Sequence, residues 1–413
     1  MSRVKSMEHY FEHMSELLRQ VSVSRQLPTL NVIFIESTRL LLGGFVLKFL
    51  FQKRMTFNPY SMRTPVTIIG RGGLCVKGVV KSCSLTHLDI YCHKLYPFIR
   101  PEFDLRVVSR EVDTTSSFER FIRAIQSGEN HVRDLILGNK ESNLPLEVAS
   151  LEFCQLDLDK GQRESVLKLM SISDVAVLEG VAGSGKTKVL AELVWQRIKA
   201  DSTTRVLCLA ASNCGVDVIC RRLVELGLQV VRDAPHYIVP EDMVNLTPDS
   251  LMKSSLGLSS RRSIIKGATI VCATLLQATS AKLAGVLFDL VIMDESSQIP
   301  EPMSWVRVIL MKQVDRFMSQ VGVCKTTGGL ILCGDQKQLP PVVTHQRASP
   351  DVGLTLLGRL MMNSQIPKIK LTMQYRYPKV ISEFVSEVWV HFPLNLLIGL
   401  FLLTPFFQVS VYN

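Results

Sequence analysis

A glycine-rich segment at residues 180–187 has the residue types and the spacing of a loop that binds phosphate. It reads GVAGSGKT and fits the pattern G-x-x-x-x-G-K-[ST]. Gly180, Gly183 and Gly185 let backbone N–H groups close around phosphate oxygens. The ammonium group of Lys186 supplies positive charge, and the hydroxyl of Thr187 can reach a magnesium ion. The segment therefore predicts a site for the phosphates of a nucleotide.

The sequence on either side of this segment suits such a loop. The apolar run at 174–179 predicts a buried strand that enters it, and residues 188–195 predict a helix that leaves it. A chance match in a glycine-containing turn is the alternative. The strand before the loop and the helix after it argue against that alternative.

An acidic pair forms a second chemical signature farther along the chain. Asp294 and Glu295 begin the segment DESSQ and directly follow the apolar run at 290–293. Ligands of open α/β sheets bind at the carboxyl ends of the strands, where this pair would lie. We predict that Asp294 holds Mg²⁺ and that Glu295 is the general base for water. An acidic pair that only caps a strand is the alternative, and it explains both signatures in this order poorly.

Strands and helices alternate across residues 161–385. The apolar runs that predict strands lie at 175–178, 205–210, 269–273, 287–293 and 330–333. Such alternation indicates a parallel sheet with helices on both faces, which is an α/β fold of the RecA-like type.

The first 160 residues divide differently. Apolar residues recur at helical spacing over 7–21 and predict a helix that ends before Pro28. Residues 30–51 are apolar but carry Glu36, Arg39 and Lys48, so we interpret them as a packing element and not as a membrane span. We therefore predict a helical N-terminal extension over 1–60.

Short β-rich runs alternate with turn residues between 64 and 112. They predict a small antiparallel β-barrel over residues 61–115. A helical run begins at Phe118, and mixed polar and apolar sequence follows it, so we predict a stalk or linker over 116–160.

Composition bounds the partners and the compartment. The 413 residues include 47 basic and 37 acidic residues, for a net charge of +10, which suits a phosphate backbone, although many basic proteins bind no nucleic acid. None of the ten cysteines forms a Cys-x-x-Cys pair. This usage favours the cytoplasm or the nucleus, and we favour the cytoplasm. Cys83 and Cys92-His93 could contribute to a metal site, but no second pair completes it.

Several motifs together resemble the superfamily 1B helicases, in the group of the nonsense-mediated-decay helicase, senataxin and the immunoglobulin-mu-binding-protein helicase. The motifs stand in the family's order: LDKGQ at 158–162, the loop at 180–187, ASNCGVD at 211–217, DESSQ at 294–298, GDQKQLPP at 334–341 and QYRY at 374–377. TSSFER at 115–120 resembles the family's transition from barrel to stalk. The resemblance covers roughly residues 60–385 and implies a RecA-like motor domain that binds ATP with Mg²⁺.

The resemblance also implies a role for individual residues at the nucleotide. Gln162 would hydrogen-bond adenine, and Tyr375 would stack on it. Lys186 would contact the β- and γ-phosphates, and Thr187 would ligate magnesium. Apart from the family, Gln162 could simply start a helix and Tyr375 could be a packed aromatic residue.

Other roles implied by the resemblance concern turnover and the nucleic acid. Gln338 would sense the γ-phosphate, and Arg376 would stabilise its developing charge, although Arg376 could also be a surface cation. Ser212, Asn213 and Thr274 would lie near a single strand of RNA or DNA. Because such contacts reach the backbone of the strand, binding would tolerate any base sequence.

The end of the chain departs from the family. Residues 388–413 contain no Asp, Glu, Lys or Arg, and Pro393 and Pro405 leave too short a run for a membrane helix. We interpret 386–413 as an apolar tail outside the family pattern, from a truncated or alternatively spliced end. The predicted function is an ATP-dependent helicase acting 5′-to-3′ on single strands, with RNA favoured. The alternative is a one-lobed module that binds ATP and nucleic acid without efficient hydrolysis or unwinding.

Overall fold

The computed structural model describes most of the chain between residues 7 and 378. It covers 7–21, 27–109, 115–126, 131–142, 148, 151–254, 260–305, 329–341 and 353–378, apart from 42, 54, 61, 63, 71, 72, 98, 101–103, 280–282, 284, 285, 339 and 377. The interpretation of residues 386–413 as an apolar tail therefore falls outside the described residues.

Six antiparallel strands close into a small barrel. They are β1 (Leu30–Arg39), β2 (Phe45–Phe51), β3 (Pro65–Ile69), β4 (Cys75–Cys83), β5 (His87–Cys92) and β6 (Leu105–Ser109), in the order β1-β2-β5-β4-β3-β6. Side chains that alternate along each strand fill the interior, among them Leu47, Phe49, Ile68, Leu88 and Val107. Closure of the barrel leaves no unpaired strand edge.

The predicted helical extension over 1–60 is wrong for its second half. Residues 30–39 and 45–51 form the paired strands β1 and β2, so the barrel begins at Leu30 and not at residue 61. In β1 every second residue from Leu30 to Phe34 is buried, which is the period of a strand with one face in a core. The charges that interrupt this apolar stretch lie outside the barrel, where Lys48 and Glu36 pair at 3.4 Å.

Helices α1 (Met7–Val21), α2 (Thr115–Gln126) and α3 (His131–Ile136) share a hydrophobic core with one face of the main sheet. Helix α1 lies where its apolar spacing predicts it. It buries Phe11 and Leu18 in the same core as Phe118 and Ile122 of α2. The N-terminal helix and the predicted stalk are therefore one packed unit.

The second half of the described chain is a seven-stranded parallel sheet. Its strands are β7 (Val175–Gly180), β8 (Val206–Ala210), β9 (Val230–Asp233), β10 (Ile270–Thr274), β11 (Leu290–Met293), β12 (Gly329–Gly334) and β13 (Lys368–Leu371), in the order β13-β7-β12-β11-β8-β10-β9. Every neighbouring pair is parallel. The predicted α/β fold is confirmed.

Helices cover both faces of this sheet. They are α4 (Lys160–Ser171), α5 (Lys186–Ala200), α6 (Asn213–Glu225), α7 (Pro248–Ser254), α8 (Arg261–Gly267), α9 (Leu275–Ala278), α10 (Glu301–Ser304) and α11 (Leu356–Met361), with short 3₁₀ helices at Glu241–Leu246 and Ser296–Gln298. Alternate residues of β7 enter different cores: Val175 and Val177 belong to the core that includes α1 and α2, whereas Ala176 and Leu178 belong to the core that includes α4 and α5. Burial on both faces explains why the strands read as continuous apolar runs.

An aromatic contact joins the barrel to the sheet domain. Tyr91 of β5 stacks on Tyr237, which follows β9, with ring centroids 3.6 Å apart and ring planes 15° apart. Lys253 of α7 donates a hydrogen bond to the carbonyl of Leu41 in the β1–β2 turn. Among the residues described, no helix combines the length and the apolar character that a bilayer crossing requires.

A buried polar cluster ties α1 to the sheet domain. The hydroxyl of Tyr10 donates to Glu301 and accepts from Trp305 Nε1 at 3.1 Å. Arg359 of α11 donates to Glu301 Oε1 at 2.7 Å, to the Ile136 carbonyl at 2.9 Å and to the Tyr10 hydroxyl at 3.2 Å. Burial and the charge of Glu301 raise the pKa of Tyr10 well above its usual range. The tyrosine stays neutral and can donate to the carboxylate.

Replacing Arg359 by methionine should lower the free energy of unfolding. The substitution keeps most of the side-chain volume but leaves the Glu301 carboxylate, which is 4% exposed, without its cation. We expect a loss of about 3 kcal/mol in urea denaturation. The control is Arg123→Met on α2, where the side chain is 74% exposed and the loss should stay below about 1 kcal/mol. Equal losses in the two variants would show that the cluster does not stabilise the fold.

Candidate functional site

The loop between β7 and α5 depends on its glycines. Gly183 and Gly185 have φ angles of 79° and 84°, in the left-handed region that other residues rarely adopt. A Cβ atom on Gly183 would lie 2.4 Å from the Cβ of Arg376, and one on Gly185 would lie 2.4 Å from Gln162 Nε2. The two glycines therefore permit both the turn and the close approach of residues distant in sequence.

Polar groups of the loop suit the binding of phosphate oxygens. Lys186, the first residue of α5, directs its ammonium group to the carbonyls of Gly180 at 2.6 Å and Val181 at 3.1 Å, so the charge lies over the loop. The hydroxyl of Ser184 is buried and has no hydrogen-bond partner among the described residues. A buried unpaired hydroxyl is costly unless a ligand satisfies it. The loop thus fits a triphosphate.

The acidic pair meets the loop at the carboxyl edge of the sheet. Thr187 Oγ1 donates to Asp294 Oδ2 at 3.2 Å. The strand that leads to the loop, β7, and the strand that leads to Asp294, β11, are not neighbours, because β12 lies between them. The backbone N–H of Glu295 donates to the other carboxylate oxygen at 2.8 Å. A hydroxyl beside a carboxylate presents the oxygen ligands that Mg²⁺ prefers. Thr187 and Asp294 therefore form a fitting site for that ion.

Glu295 adopts an unusual backbone conformation. Its φ angle of 55° is the only positive one among the non-glycine residues described. Its carboxylate accepts hydrogen bonds from Ser212 Oγ at 3.0 Å and from Ser212 N at 3.4 Å. Burial, together with the negative charge of Asp294, raises the pKa of Glu295 above its ordinary value. A raised pKa makes a carboxylate a stronger proton acceptor, which suits a general base.

Hydrogen bonds join the phosphate loop to the start of α4 and to Tyr375. Asp159 caps α4 and accepts from Gln162 N at 2.8 Å, while Gln162 Nε2 donates to the Ser184 carbonyl at 3.1 Å. The hydroxyl of Tyr375 donates to the Asp159 carboxylate, and its N–H donates to the Gly183 carbonyl at 2.9 Å. Gln162 and Tyr375 are thus brought together beside the phosphate loop. Their predicted contacts with adenine stay predictions.

The structure also places the two residues predicted to act on the γ-phosphate. Arg376 is exposed and its backbone packs over Gly183. Gln338 is half-buried, and its N–H donates to the Asp335 carbonyl at 3.1 Å. Asp335 has no role predicted from the sequence; it is 7% exposed and follows β12, the strand between β7 and β11. The sequence signal for Asp335 was its position just after the apolar run at 330–333.

The residues predicted to contact a single strand lie at the ends of the neighbouring strands β8 and β10. Ser212 caps α6, because its hydroxyl accepts from Gly215 N at 2.9 Å. The side-chain oxygen of Asn213 accepts from the fully buried Arg232 at 2.9 Å. Thr274 caps α9 and is 8% exposed. The side chains of Asn213 and Thr274 therefore have structural partners, and their role at a strand stays a prediction.

A buried glutamate on α5 was missed from the sequence. Glu192 is fully buried and accepts from Cys154 N at 2.9 Å, Gln155 N at 3.0 Å, Gln155 Nε2 at 3.2 Å and Gln196 Nε2 at 2.8 Å. Four donors satisfy the buried carboxylate. They fix the segment before Asp159 against the helix that follows the phosphate loop.

The chain is similar to known proteins, and the family match includes the phosphate loop and the acidic pair. The model of a family described as "AAA domain" matches residues 157–239 and 249–346. The DNA polymerase alpha-associated DNA helicase A of Schizosaccharomyces pombe is 25% identical over 318 residues, which are 65% of this chain and 45% of that protein. A regulator of nonsense transcripts 1 homolog of Neurospora crassa is 28% identical over 266 residues, 56% of this chain and 23% of that protein.

Two further similarities belong with these. DNA-binding protein SMUBP-2 of Mus musculus is 24% identical over 309 residues, 62% of this chain and 29% of that protein. The crystal structure of the arterivirus nonstructural protein 10 helicase aligns with a TM-score of 0.42 at 12% identity, over 91% of this chain and 60% of that chain. This score is too low to bear on the fold, which the strand order establishes. The chain spans less than half the length of these three sequence relatives.

A parallel sheet with a glycine-rich phosphate loop and an acidic pair at its carboxyl edge defines a P-loop protein that binds nucleoside triphosphates. The motifs, the matched domain and the relatives place the chain more narrowly. They support a superfamily 1 helicase in the group of the nonsense-mediated-decay helicase.

Replacing Glu192 by glutamine tests the predicted contact between Gln162 and adenine, and it should weaken the binding of ATP. The amide cannot accept all four donors, so the segment before Asp159 loses its anchor and Gln162 loses its position. We expect the Kd for ATP to rise about tenfold, because hydrogen bonds to a buried charged group are lost. The Kd for inorganic triphosphate should not change, because the loop at 180–187 is intact.

Calorimetric titration of both ligands measures this difference. Glu152→Gln is the control, since Glu152 lies on the same segment with a side chain that is 91% exposed. A parallel loss of affinity for both ligands would show that Glu192 supports the whole domain and not the segment before Asp159 in particular.

Proposed function

We propose that the chain binds ATP with Mg²⁺ and couples ATP hydrolysis to 5′-to-3′ movement along a single strand of nucleic acid, with RNA as the preferred strand. One observation carries this proposal. Hydrogen bonds run without a break from Thr187 of the phosphate loop through Asp294 and Glu295 to Ser212. They link the nucleotide site to the segment predicted to touch the strand.

The residues of the loop divide the work of holding the nucleotide. Lys186 binds the β- and γ-phosphates, and the N–H groups that begin α5 face the same oxygens. Gln162 and Tyr375 take the adenine, one by hydrogen bonds and the other by stacking. Thr187 and Asp294 hold Mg²⁺, which neutralises negative charge on the phosphates when it is bound.

Hydrolysis then requires a base and positive charge at the γ-phosphate. Glu295 accepts the proton of the attacking water, as its burial and raised pKa favour. Arg376, which packs over Gly183, stabilises the charge that develops on the phosphate, and Gln338 senses whether that phosphate is present.

The strand follows the carboxyl edge of the sheet, where Ser212, Asn213 and Thr274 lie. Contacts with the sugar-phosphate backbone carry no base code, and the net charge of +10 favours any polyanion. The preference for RNA rests on the likeness of the motifs to the group of the nonsense-mediated-decay helicase.

We propose the cytoplasm or nucleus as the site of action, with the cytoplasm favoured, since the nine cysteines that the structure describes are free thiols.

Replacing Lys186 by alanine should weaken the binding of ATP and abolish its hydrolysis. The loop keeps its fold but loses the charge over the phosphates, so the Kd for Mg²⁺-ATP should rise at least about tenfold. Lys199→Ala is the control, because Lys199 lies exposed at the far end of the same helix. An unchanged Kd in the Lys186 variant would contradict the proposal.

Matched oligonucleotides test the choice of strand. We expect single-stranded RNA to stimulate hydrolysis by the 413-residue chain more than DNA of the same sequence, and the stimulation to fall as salt rises. Greater stimulation by DNA would contradict the preference for RNA. Binding of ATP and strand without turnover would favour a nucleotide-dependent binding module over an enzyme.

A further inference from the structure

The hydrogen bonds of Ser212 have a feature that the proposed function does not require. Both donors of the residue, the hydroxyl and the backbone N–H, point to the same oxygen, Oε2 of Glu295. The hydroxyl oxygen also accepts from Gly215 N, as the cap of α6. A serine hydroxyl has a single proton to donate. While it is bound to Glu295, Ser212 cannot donate that proton to anything else.

The surroundings of Glu295 favour this position of the carboxylate. A Cβ atom on Gly215 would lie 2.7 Å from Oε2, so only glycine leaves room for the carboxylate beside the first turn of α6. The left-handed backbone at Glu295 is held on its other side by Asp294, which accepts the Glu295 N–H. An unfavourable conformation persists where several contacts impose it together. Here those contacts are Asp294, Ser212 and the space at Gly215.

We propose that Ser212 is a positioning residue that holds the general base Glu295 until a single strand binds. A backbone phosphate of the strand then releases Glu295 by accepting the hydrogen bond of the Ser212 hydroxyl in its place. This inference rests on the proposed function, since it assumes that the strand reaches Ser212. The two acceptors are both anionic and need the same proton, so they exclude each other. Binding of the strand and release of the base are one exchange of hydrogen bonds.

The exchange has a consequence for affinity that does not involve hydrolysis. If strand and carboxylate compete for Ser212, weakening one competitor must strengthen the binding of the other, because coupling between two sites is reciprocal. Glutamine at position 295 is a neutral and weaker acceptor than glutamate. The Glu295→Gln protein should therefore bind the strand more tightly, and only while Ser212 keeps its hydroxyl.

Anisotropy of a labelled single-stranded RNA, measured without nucleotide, tests this in four proteins: wild type, Glu295→Gln, Ser212→Ala and the double variant. We expect Glu295→Gln to tighten binding on the order of tenfold in the presence of Ser212 and to have little effect in the Ser212→Ala background. Glu225→Gln, which removes an exposed charge from the far end of α6, corrects for the change in net charge.

Two further variants separate positioning from folding. Gly215→Ala keeps the Ser212 hydroxyl and suits a helix, but its methyl group displaces the Glu295 carboxylate. It should tighten RNA binding as Glu295→Gln does, and it should raise hydrolysis without RNA toward the stimulated rate. Ser212→Thr keeps the hydroxyl and should restore the wild-type dependence on Glu295 that Ser212→Ala removes.

The outcomes distinguish this inference from the proposed function. Equal tightening by Glu295→Gln with and without the Ser212 hydroxyl, or Gly215→Ala with wild-type affinity, would overturn the positioning role while RNA binding itself stands. A chain that binds no RNA at any salt concentration would overturn the proposed function and this inference with it.

Discussion

The carboxylate of Asp294 joins the two halves of the candidate site. Its two oxygens accept from the hydroxyl of Thr187 and from the backbone N–H of Glu295, so it fixes the phosphate loop and the acidic pair against each other. This contact crosses β12, because β7 and β11 are not neighbours in the sheet. The proposed ion site, the position of the proposed base Glu295 and its link to Ser212 all depend on the hydrogen bond between Thr187 and Asp294.

Buried polar contacts elsewhere keep the parts of this arrangement in place. Glu192 holds the segment before Asp159 against α5, and the cluster of Tyr10, Glu301 and Arg359 holds the N-terminal helix on the opposite face of the sheet. In both places a carboxylate is almost fully buried and accepts hydrogen bonds from segments distant in sequence. A buried charge with its partners in place is costly to disturb, so each one specifies a single packing of its elements.

The sequence predicted what is local and missed what depends on distant partners. The loop at 180–187 and the pair Asp294-Glu295 are contiguous, and their flanking apolar runs identified the strands and the helix around them. β9 and β13 are short and interrupted by Arg232, Lys368 and Lys370, so no apolar run revealed them. β1 and β2 were mistaken for part of a helical extension, because hydrophobicity alone does not show the pairing that closes a barrel. Glu192 becomes significant only through donors about 40 residues away.

Calorimetric titration of ATP with and without Mg²⁺, into wild-type protein and Thr187→Val, tests the central claim most directly. Valine keeps the shape of threonine and removes only the hydroxyl, which donates to Asp294 and is proposed to ligate the ion. The account predicts that Mg²⁺ tightens ATP binding by the wild type and has little effect in the variant. An equal gain from Mg²⁺ in both proteins would contradict the claim that Thr187 and Asp294 together hold the ion.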